Sequence, residues 1–362
     1  MMQSRYFSDS YAQARERFLA AAKAVAARMA SYPIEARGAR DEALSTDVAL
    51  IGDAKAERLL IMTSATHGAE GFCGSGCQLA LLDDAPMLAR ARESGVALLL
   101  VHAVNPYGFS WIARTDEGNV DLNRNAQPFD GSPLPENPGY AALHPLLLPE
   151  SWPPTEANRR EQERYIAEHG LAAYAQAVSR GQYTHADGLF YGGDRPAASL
   201  LNMRRILKEH AAGFSSIGWI DVHTGLGPRG HGEKIYAGRR DEAEVARARH
   251  WYGADIAVPY QGSSASVDIT GQLASVIYDA CPTSTPTLMA LEFGTQPFAD
   301  VVQALRGRNW LRAHPEASED ARRAILKATL DAFYCGDADW HGMVLGQSRV
   351  AVLQALCGLQ DD

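Results

Sequence analysis

Leu59-Leu60-Ile61-Met62-Thr63-Ser64-Ala65-Thr66-His67-Gly68-Ala69-Glu70-Gly71 sets the architecture expected of the whole chain. An apolar run too short for a buried helix reads as a strand covered on both faces, and it empties into a turn of small residues. The turn carries an imidazole and a carboxylate three positions apart. His67 and Glu70 so placed can converge at the carboxyl end of the strand. Nitrogen and oxygen ligands with one position left open are what a hydrolytic zinc centre needs. His-x-x-Glu by itself also occurs by chance on surface turns, so its weight depends on the rest of the sequence.

Further apolar runs at 48–51, 96–104, 217–222 and 287–293 read as strands, several nearly continuous in Val, Leu and Ile. Helical periodicity separates them at 76–82, 199–210 and 242–254, and an amphipathic helix is expected over 10–31, ended by Pro33. This alternation predicts the α/β class: a three-layer αβα sandwich around a central mixed, mostly parallel sheet. One segment breaks the rhythm. Pro128, Pro133, Pro135, Pro138, Pro145, Pro149, Pro153 and Pro154 crowd residues 128–154, too many for helix or central strand. A charged helix over 155–179 and a Gly-rich Tyr191-Gly192-Gly193-Asp194 follow. Residues 126–215 are therefore expected to form an insertion within a single catalytic domain spanning 1–362, either roofing the site or standing apart from it.

Composition excludes several function classes. Hydrophobic residues make up 46% of the 362 and charged ones 21%, enough for a large core. A net charge of −9 argues against nucleic acid or an anionic membrane as partner. Five cysteines do not make a disulfide framework, and Cys73 and Cys77, set among glycines, are expected to pack rather than bind metal. Lys23 and Arg28 interrupt the apolar stretch 18–30, which reads as helix and not as a leader, and no run of about 18 uncharged apolar residues predicts a membrane span. The expectation is a soluble, cytoplasmic protein; its oligomeric state is not legible.

Three more strand ends carry chemistry. After 96–104 come Asn105-Pro106-Tyr107-Gly108, Arg114 and Asn119-Val120-Asp121-Leu122-Asn123-Arg124-Asn125; after 217–222 comes His223; and Glu292 lies late in 287–293. Ligands of open α/β sheets bind at such carboxyl ends.

Taken in order, His67-x-x-Glu70, Asn105-Pro106-x-Gly108, Asp121-Leu122-Asn123-Arg124, Asp221-x-His223 and a late strand bearing Glu292 resemble the zinc carboxypeptidase superfamily, which includes the aspartoacylase and succinylglutamate desuccinylase deacylases. The resemblance spans residues 59–295 and is closest to a branch of unassigned substrate. It implies one zinc ion per chain, held by His67, Glu70 and His223, with Glu292 as general base. It further implies that Arg114 polarises the scissile carbonyl, that Asn123 and Arg124 hold a substrate carboxylate, and that Asp121 orients His67. The family's tyrosine acid has candidates in Tyr260 and Tyr278, of which Tyr278 is expected nearer the pocket. The implied activity is hydrolysis of an amide or peptide bond next to a free carboxylate, by a zinc-activated water, on a small peptide. An N-acyl-amino-acid deacylase shares the same motifs. The chemistry is consistent: two neutral imidazoles and one carboxylate leave zinc a net positive charge, which lowers the pKa of bound water to roughly 7.

Rival readings are weaker. Gly225-Leu226-Gly227-Pro228-Arg229-Gly230 fits the dinucleotide fingerprint, but Pro228 and the glycines that follow do not open a helix. A Gly-x-Ser-x-Gly elbow is absent. A non-catalytic binding protein on the same fold would need neither Glu292 nor Arg114. Among the remaining histidines, His102 is expected in the core, His231 on a surface loop, and His185 is a further candidate for the pocket.

Overall fold

Period-two alternation along the strands organises the centre of the computed structural model, which describes residues 3–53 and 55–361. Its sheet contains β1 (Arg28–Arg37), β2 (Ala43–Ile51), β3 (Arg58–Thr63), β4 (Val96–His102), β5 (Ser216–Gly225), β6 (Gly232–Tyr236) and β7 (Thr285–Gly294), in the order β1-β2-β4-β3-β5-β7-β6. The central β4, β3, β5 and β7 are parallel; β1, β2 and β6 pair antiparallel at the two sides. The helices are α1 (Tyr11–Ala24), α2 (Gly71–Leu82), α3 (Ala85–Glu93), α4 (Pro106–Trp111), α5 (Pro138–Leu147), α6 (Glu156–His169), α7 (Leu171–Ser179), α8 (Ala198–His210), α9 (Glu242–Tyr252), α10 (Ile277–Ala280), α11 (Phe298–Ala313), α12 (Glu319–Phe333) and α13 (Ala338–Asp361).

Leu60 and Met62 of β3, with Leu98 and Leu100 of β4, pack against α1, α2, α3, α9 and α13. Leu59 and Ile61, with Ala97 and Leu99, point the other way, onto α8 and α10. The expected αβα sandwich with a mixed sheet is what these two layers build. Its carboxyl edge collects the ends of β3, β5 and β7, and in the β5/β7 register His223 stands directly beside Glu292.

Several local expectations are corrected. The helix expected over 10–31 stops at Ala24, and the chain continues as β1, which contains Pro33. An edge strand tolerates the missing N–H that a central strand would not. The proline-rich segment does hold a helix: α5 starts with Pro138 at its first position, where no N–H is needed, and carries Pro145 inside. The charged helix of 155–179 is two helices, broken at Gly170, whose φ of +86° is left-handed. After Gly230 the chain enters β6 rather than a helix, which removes the dinucleotide reading. Among the described residues α13 is long and apolar enough to cross a membrane, yet Trp340, Val344, Val352, Leu356 and Leu359 bury one face of it in the core.

Segment 126–215 packs against the rest of the chain. Tyr140 and Leu143 of α5 and Tyr174 and Val178 of α7 pack on Val301 and Leu305 of α11 and Phe333 of α12. Buried Arg306 of α11 fastens the contact by donating to Leu146 O, Leu147 O and Asn158 Oδ1. Leu171, Ala175, Ser179 and Phe190 of this segment share a cavity with His67, His223 and Glu292 at the carboxyl edge of the sheet.

Candidate metal centre and active site

The turn after β3 is fixed by its neighbour after β4. Ala65 and Ala103, at the two strand ends, both adopt left-handed φ of +57°, a conformation a non-glycine residue holds only where its surroundings enforce it. Ala65 O accepts from Asn105 N at 2.9 Å, and Asn105 caps α4 by accepting from Gly108 N at 2.8 Å. Gly68 meets this second turn so closely that a Cβ would lie 1.9 Å from the Gly108 carbonyl carbon. Gly68 N and Ala69 N then donate to Arg114 O and Ala113 O. The two small-residue motifs are therefore one interlocked structure, which presents His67, Glu70 and Arg114 together.

His67 Nδ1 lies 2.8 Å from Glu70 Oε1, His223 Nδ1 lies 2.9 Å from Glu70 Oε2, and the two Nδ1 atoms are 3.2 Å apart. All three side chains are buried. Behind them, His223 Nε2 is 2.7 Å from Asp221 Oδ2, and Asp221 is itself held by the hydroxyls of Thr63 at 2.6 Å and Thr66 at 2.9 Å. His67 Nε2 is 3.3 Å from Asp121 Oδ1, close enough for charge attraction but off the angle of a hydrogen bond. With each Nε2 turned to a carboxylate, neutral imidazoles carry their proton there and aim bare Nδ1 lone pairs at one another and at Glu70. Three acceptors this close repel unless a cation stands among them. Without a metal a proton takes that place: burial opposes it, but Asp221 and Glu70 together hold the His223 pKa well above the usual histidine value. The donor set fits zinc, which takes nitrogen and carboxylate ligands and displaces such protons.

Arg114 and Glu292 flank this cluster. Arg114 Nε donates to Asp121 Oδ2 at 2.8 Å, its Nη1 lies 3.6 Å from Glu70 Oε1, and the guanidinium sits 4.7 Å from the centre of the Phe190 ring. Asp121 is fully buried; burial works against its charge, but Arg114 and Arg124 outweigh it and keep the carboxyl well below the ordinary range. Asp121 thus orients Arg114 more firmly than it orients His67. Glu292 Oε1 accepts from Leu226 N at 2.9 Å. Burial, and then the charge of Glu70, push its pKa up to about 8.

His67, Glu70, Arg114, Asn123, Arg124, His223 and Glu292 all line one cavity of about 490 Å³, while Asp121 lies behind its wall. Asn123 Oδ1 accepts from Leu273 N at 2.9 Å, which leaves its amide Nδ2 to face the cavity without a partner among the described residues. Arg124 is less free than expected. Its Nε and Nη2 donate to Ser179 O and its Nη1 to Asn123 O, so the side chain anchors the end of α7 while offering its remaining donors to the cavity. Burial lowers its pKa to about 10, still cationic at neutral pH.

Tyr278 is not brought to this cavity. Its hydroxyl donates to Glu244 Oε2 at 2.5 Å and accepts from Arg239 N at 3.1 Å, beside a neighbouring cavity that also contains Tyr260. Glu244 and the Arg239 backbone thus hold the hydroxyl at that neighbouring cavity. Among the described residues the cavity is lined by one tyrosine, Tyr236, whose hydroxyl is spent on Arg239 O at 2.6 Å. Two contributors were not anticipated as site residues. Asp221 was legible, because a strand places positions two apart on one face and so puts it behind His223. Phe190, within 4.7 Å and 5.5 Å of the Arg114 and Arg124 guanidiniums, lies in segment 126–215 and left no pattern in the sequence. His102 is a core residue, bonded to Ser75 Oγ and stacked on Phe18, with burial lowering its pKa to about 4.

The chain belongs to the family described as protein of unknown function DUF2817, whose model matches residues 7–347. No curated protein matches the sequence. Among solved structures it is similar to the thrombin-activatable fibrinolysis inhibitor, at 10% identity and a TM-score of 0.46, covering 89% of this chain and 73% of that one. It is also similar to carboxypeptidase A from Helicoverpa armigera, at 12% identity and a TM-score of 0.46, covering 88% and 73%. An aspartoacylase family protein from Mesorhizobium loti is 13% identical with a TM-score of 0.36, covering 79% and 66%. These neighbours are of the carboxypeptidase and aspartoacylase kinds that the sequence resembles; with TM-scores below 0.5 they do not bear on what this chain does.

Proposed function

We propose that this protein is a zinc-dependent hydrolase that cleaves an amide or peptide bond next to a free carboxylate. The observation that carries the reading is the convergence of His67 Nδ1, His223 Nδ1 and the Glu70 carboxylate within 3.2 Å of one another, beside Glu292 and Arg114 in one cavity. His67, Glu70 and His223 would hold the zinc, which when bound supplies Lewis acidity toward a water and the scissile carbonyl. Glu292, anchored by Leu226 N, is placed to take a proton from the attacking water and return it to the leaving nitrogen. With the one tyrosine hydroxyl of the cavity among the described residues, that of Tyr236, spent on Arg239 O, both transfers fall to Glu292. Arg114, oriented by Asp121, offers a permanent cation to the developing oxyanion. The free amide of Asn123 and the spare donors of Arg124 recognise the substrate carboxylate.

A deacylase reading is favoured by one feature. Leu171, Ala172 and Ala175 of α7 line the cavity on the side of segment 126–215, and Val302, Leu305 and Phe333 extend its apolar lining. Such a lining suits a small substrate with an apolar acyl group better than a peptide that must extend outward. The test is hydrolysis of N-acyl phenylalanine, its carboxamide and a matching peptide by the zinc-loaded protein, with Glu292→Gln as control. Turnover of the free acid alone, lost in Glu292→Gln with zinc retained, is expected. Equal turnover of acid and carboxamide would overturn the carboxylate reading, and full activity in Glu292→Gln would remove Glu292 as the base.

A further inference from the structure

A second cavity of about 490 Å³ adjoins the catalytic one, and Tyr236, Ala237, Pro259, Ile269 and Gln272 line both. That volume is in the range of small-molecule sites and far above what a bare ion fills. Its charged lining is Arg180, Arg239 and Arg240 against Asp268 and Asp279, so the cavity is net positive in a chain whose own charge is −9. A cleft lined by one sign of charge concentrates ligands of the other.

The three guanidiniums are not equivalent. Arg240 is already paired with Asp268. Arg180 and Arg239 are exposed, and their guanidiniums have no carboxylate or hydrogen-bond partner among the described residues. Arg239 is nonetheless held in place. Its guanidinium lies 3.6 Å from the centre of the Tyr278 ring; its N–H donates to the Tyr278 hydroxyl at 3.1 Å, and its carbonyl accepts from the Tyr236 hydroxyl at 2.6 Å. A guanidinium stacked on a ring keeps its N–H donors in its own plane, free to grip a carboxylate or phosphate with two parallel bonds. The Tyr236 and Tyr278 hydroxyls both reach Glu244 Oε2, so these rings offer a ligand apolar surface rather than hydroxyls. Pro259 and Ile269 add to that surface, and the Gln272 amide, without a partner among the described residues, adds a neutral donor.

We propose that this second cavity binds a small organic anion, with a carboxylate or phosphate head held by Arg239 and Arg180 and an apolar body against Tyr236, Tyr260 and Tyr278. The site uses none of the groups assigned to hydrolysis, so it stands whether or not the zinc reading does.

The test is calorimetric titration of the full-length chain with phenyl phosphate, benzoate and inorganic phosphate. At least one of the two aromatic anions is expected to bind, and more tightly than inorganic phosphate; the tighter of the two identifies the head group. Arg239→Gln should weaken that binding on the order of tenfold or more, the loss of a charge-assisted pair of hydrogen bonds, and Arg180→Gln should weaken it further when combined. Both side chains are exposed, so thermal unfolding of these variants should match wild type. Arg239→Lys, which keeps the charge but loses the stacked fork, should recover only part of the affinity. Arg124→Gln, altering a guanidinium of the catalytic cavity, should leave the affinity unchanged. No binding of either aromatic anion would overturn the proposal, as would full affinity in the Arg180→Gln, Arg239→Gln double variant. Affinity lost in Arg124→Gln and kept in Arg239→Gln would also overturn it, by placing the anion in the catalytic cavity. Inorganic phosphate binding as tightly as both aromatic anions would refute the apolar contribution of the tyrosine rings.

Discussion

Replacing Glu292 by Gln should stabilise the metal-free protein, and more so the higher the pH. The carboxyl sits beside Glu70 in a buried site, and these causes raise its pKa from 4.5 to about 8. A carboxyl whose folded pKa lies above its unfolded value favours folding fully at pH below about 4.5, and that contribution is lost as pH rises through 8. Each pH unit between the two values carries roughly 1.4 kcal/mol, so ionising Glu292 in the metal-free fold costs on the order of 5 kcal/mol at the alkaline end. Gln keeps the oxygen that accepts from Leu226 N and removes the charge that faces Glu70. Urea unfolding of chelator-stripped wild type and Glu292→Gln between pH 5 and 8.5 isolates this contribution, because His223 and Glu70 are present in both proteins. The expected result is near-equal stability at the acid end and a gap of several kcal/mol in favour of the variant by pH 8.5. Zinc should close most of that gap, since a cation beside Glu70 offsets the repulsion. A wild-type-to-variant difference that does not change with pH would refute the claim that Glu292 is held in a repulsive, buried pair.

Three further outcomes test the centre. His223→Ala should lower retained zinc by elemental analysis, since it removes one of three converging ligands; unchanged stoichiometry would exclude it as a ligand. Asp121→Asn removes the nearer of the two carboxylates facing the half-buried Arg114 guanidinium, leaving Glu70 at 3.6 Å, and should cost up to about 3–5 kcal/mol in thermal or urea unfolding, with a fall in kcat exceeding any rise in KM. A neutral result would mean Arg114 is oriented by something else. Ala175→Phe, on the α7 face of the cavity, should discriminate substrates by length: N-acyl amino acids with long chains should lose about tenfold or more in kcat/KM while short ones lose little. Equal losses for both would place the acyl group elsewhere.

Charge balance explains why these residues occur together. Glu70, Asp121, Asp221 and Glu292 bring four carboxylates into one buried region, and Arg114 and Arg124 bring two guanidiniums. With neutral imidazoles and all four acids ionised the region would be short of two positive charges, and a fold seldom buries such an excess. A metal-free chain meets the deficit by protonating His223 and Glu292, the two groups whose pKa values rise. A divalent cation meets it in one step and leaves Glu292 free to act as a base. The raised pKa values and the converging Nδ1 atoms are thus two expressions of one electrostatic demand.

That demand also marks how far the sequence could be read. His67, Glu70, His223 and Glu292 were legible because each ends or closes a strand of a parallel sheet, so local pattern alone brings them to one edge. Arg114 and Asp121 were legible as motif members, but their mutual bond was not, since nothing in a seven-residue separation reveals which acid a guanidinium will choose. Tyr278 was misplaced for the same reason: its partner Glu244 lies 34 residues away on another helix, and burial of a hydroxyl follows the nearest strong acceptor rather than chain distance from Glu292. Strands β1 and β6 were missed because Pro33 and a glycine cluster mask edge strands, whose pairing is decided by neighbours and not by their own propensity. The contribution of segment 126–215 was hidden most completely. Phe190 and Ser179 acquire their positions only when α5 and α7 pack on α11, a contact between segments more than a hundred residues apart, and it is that tertiary step which turns a cluster of converging ligand atoms into a cavity of defined shape.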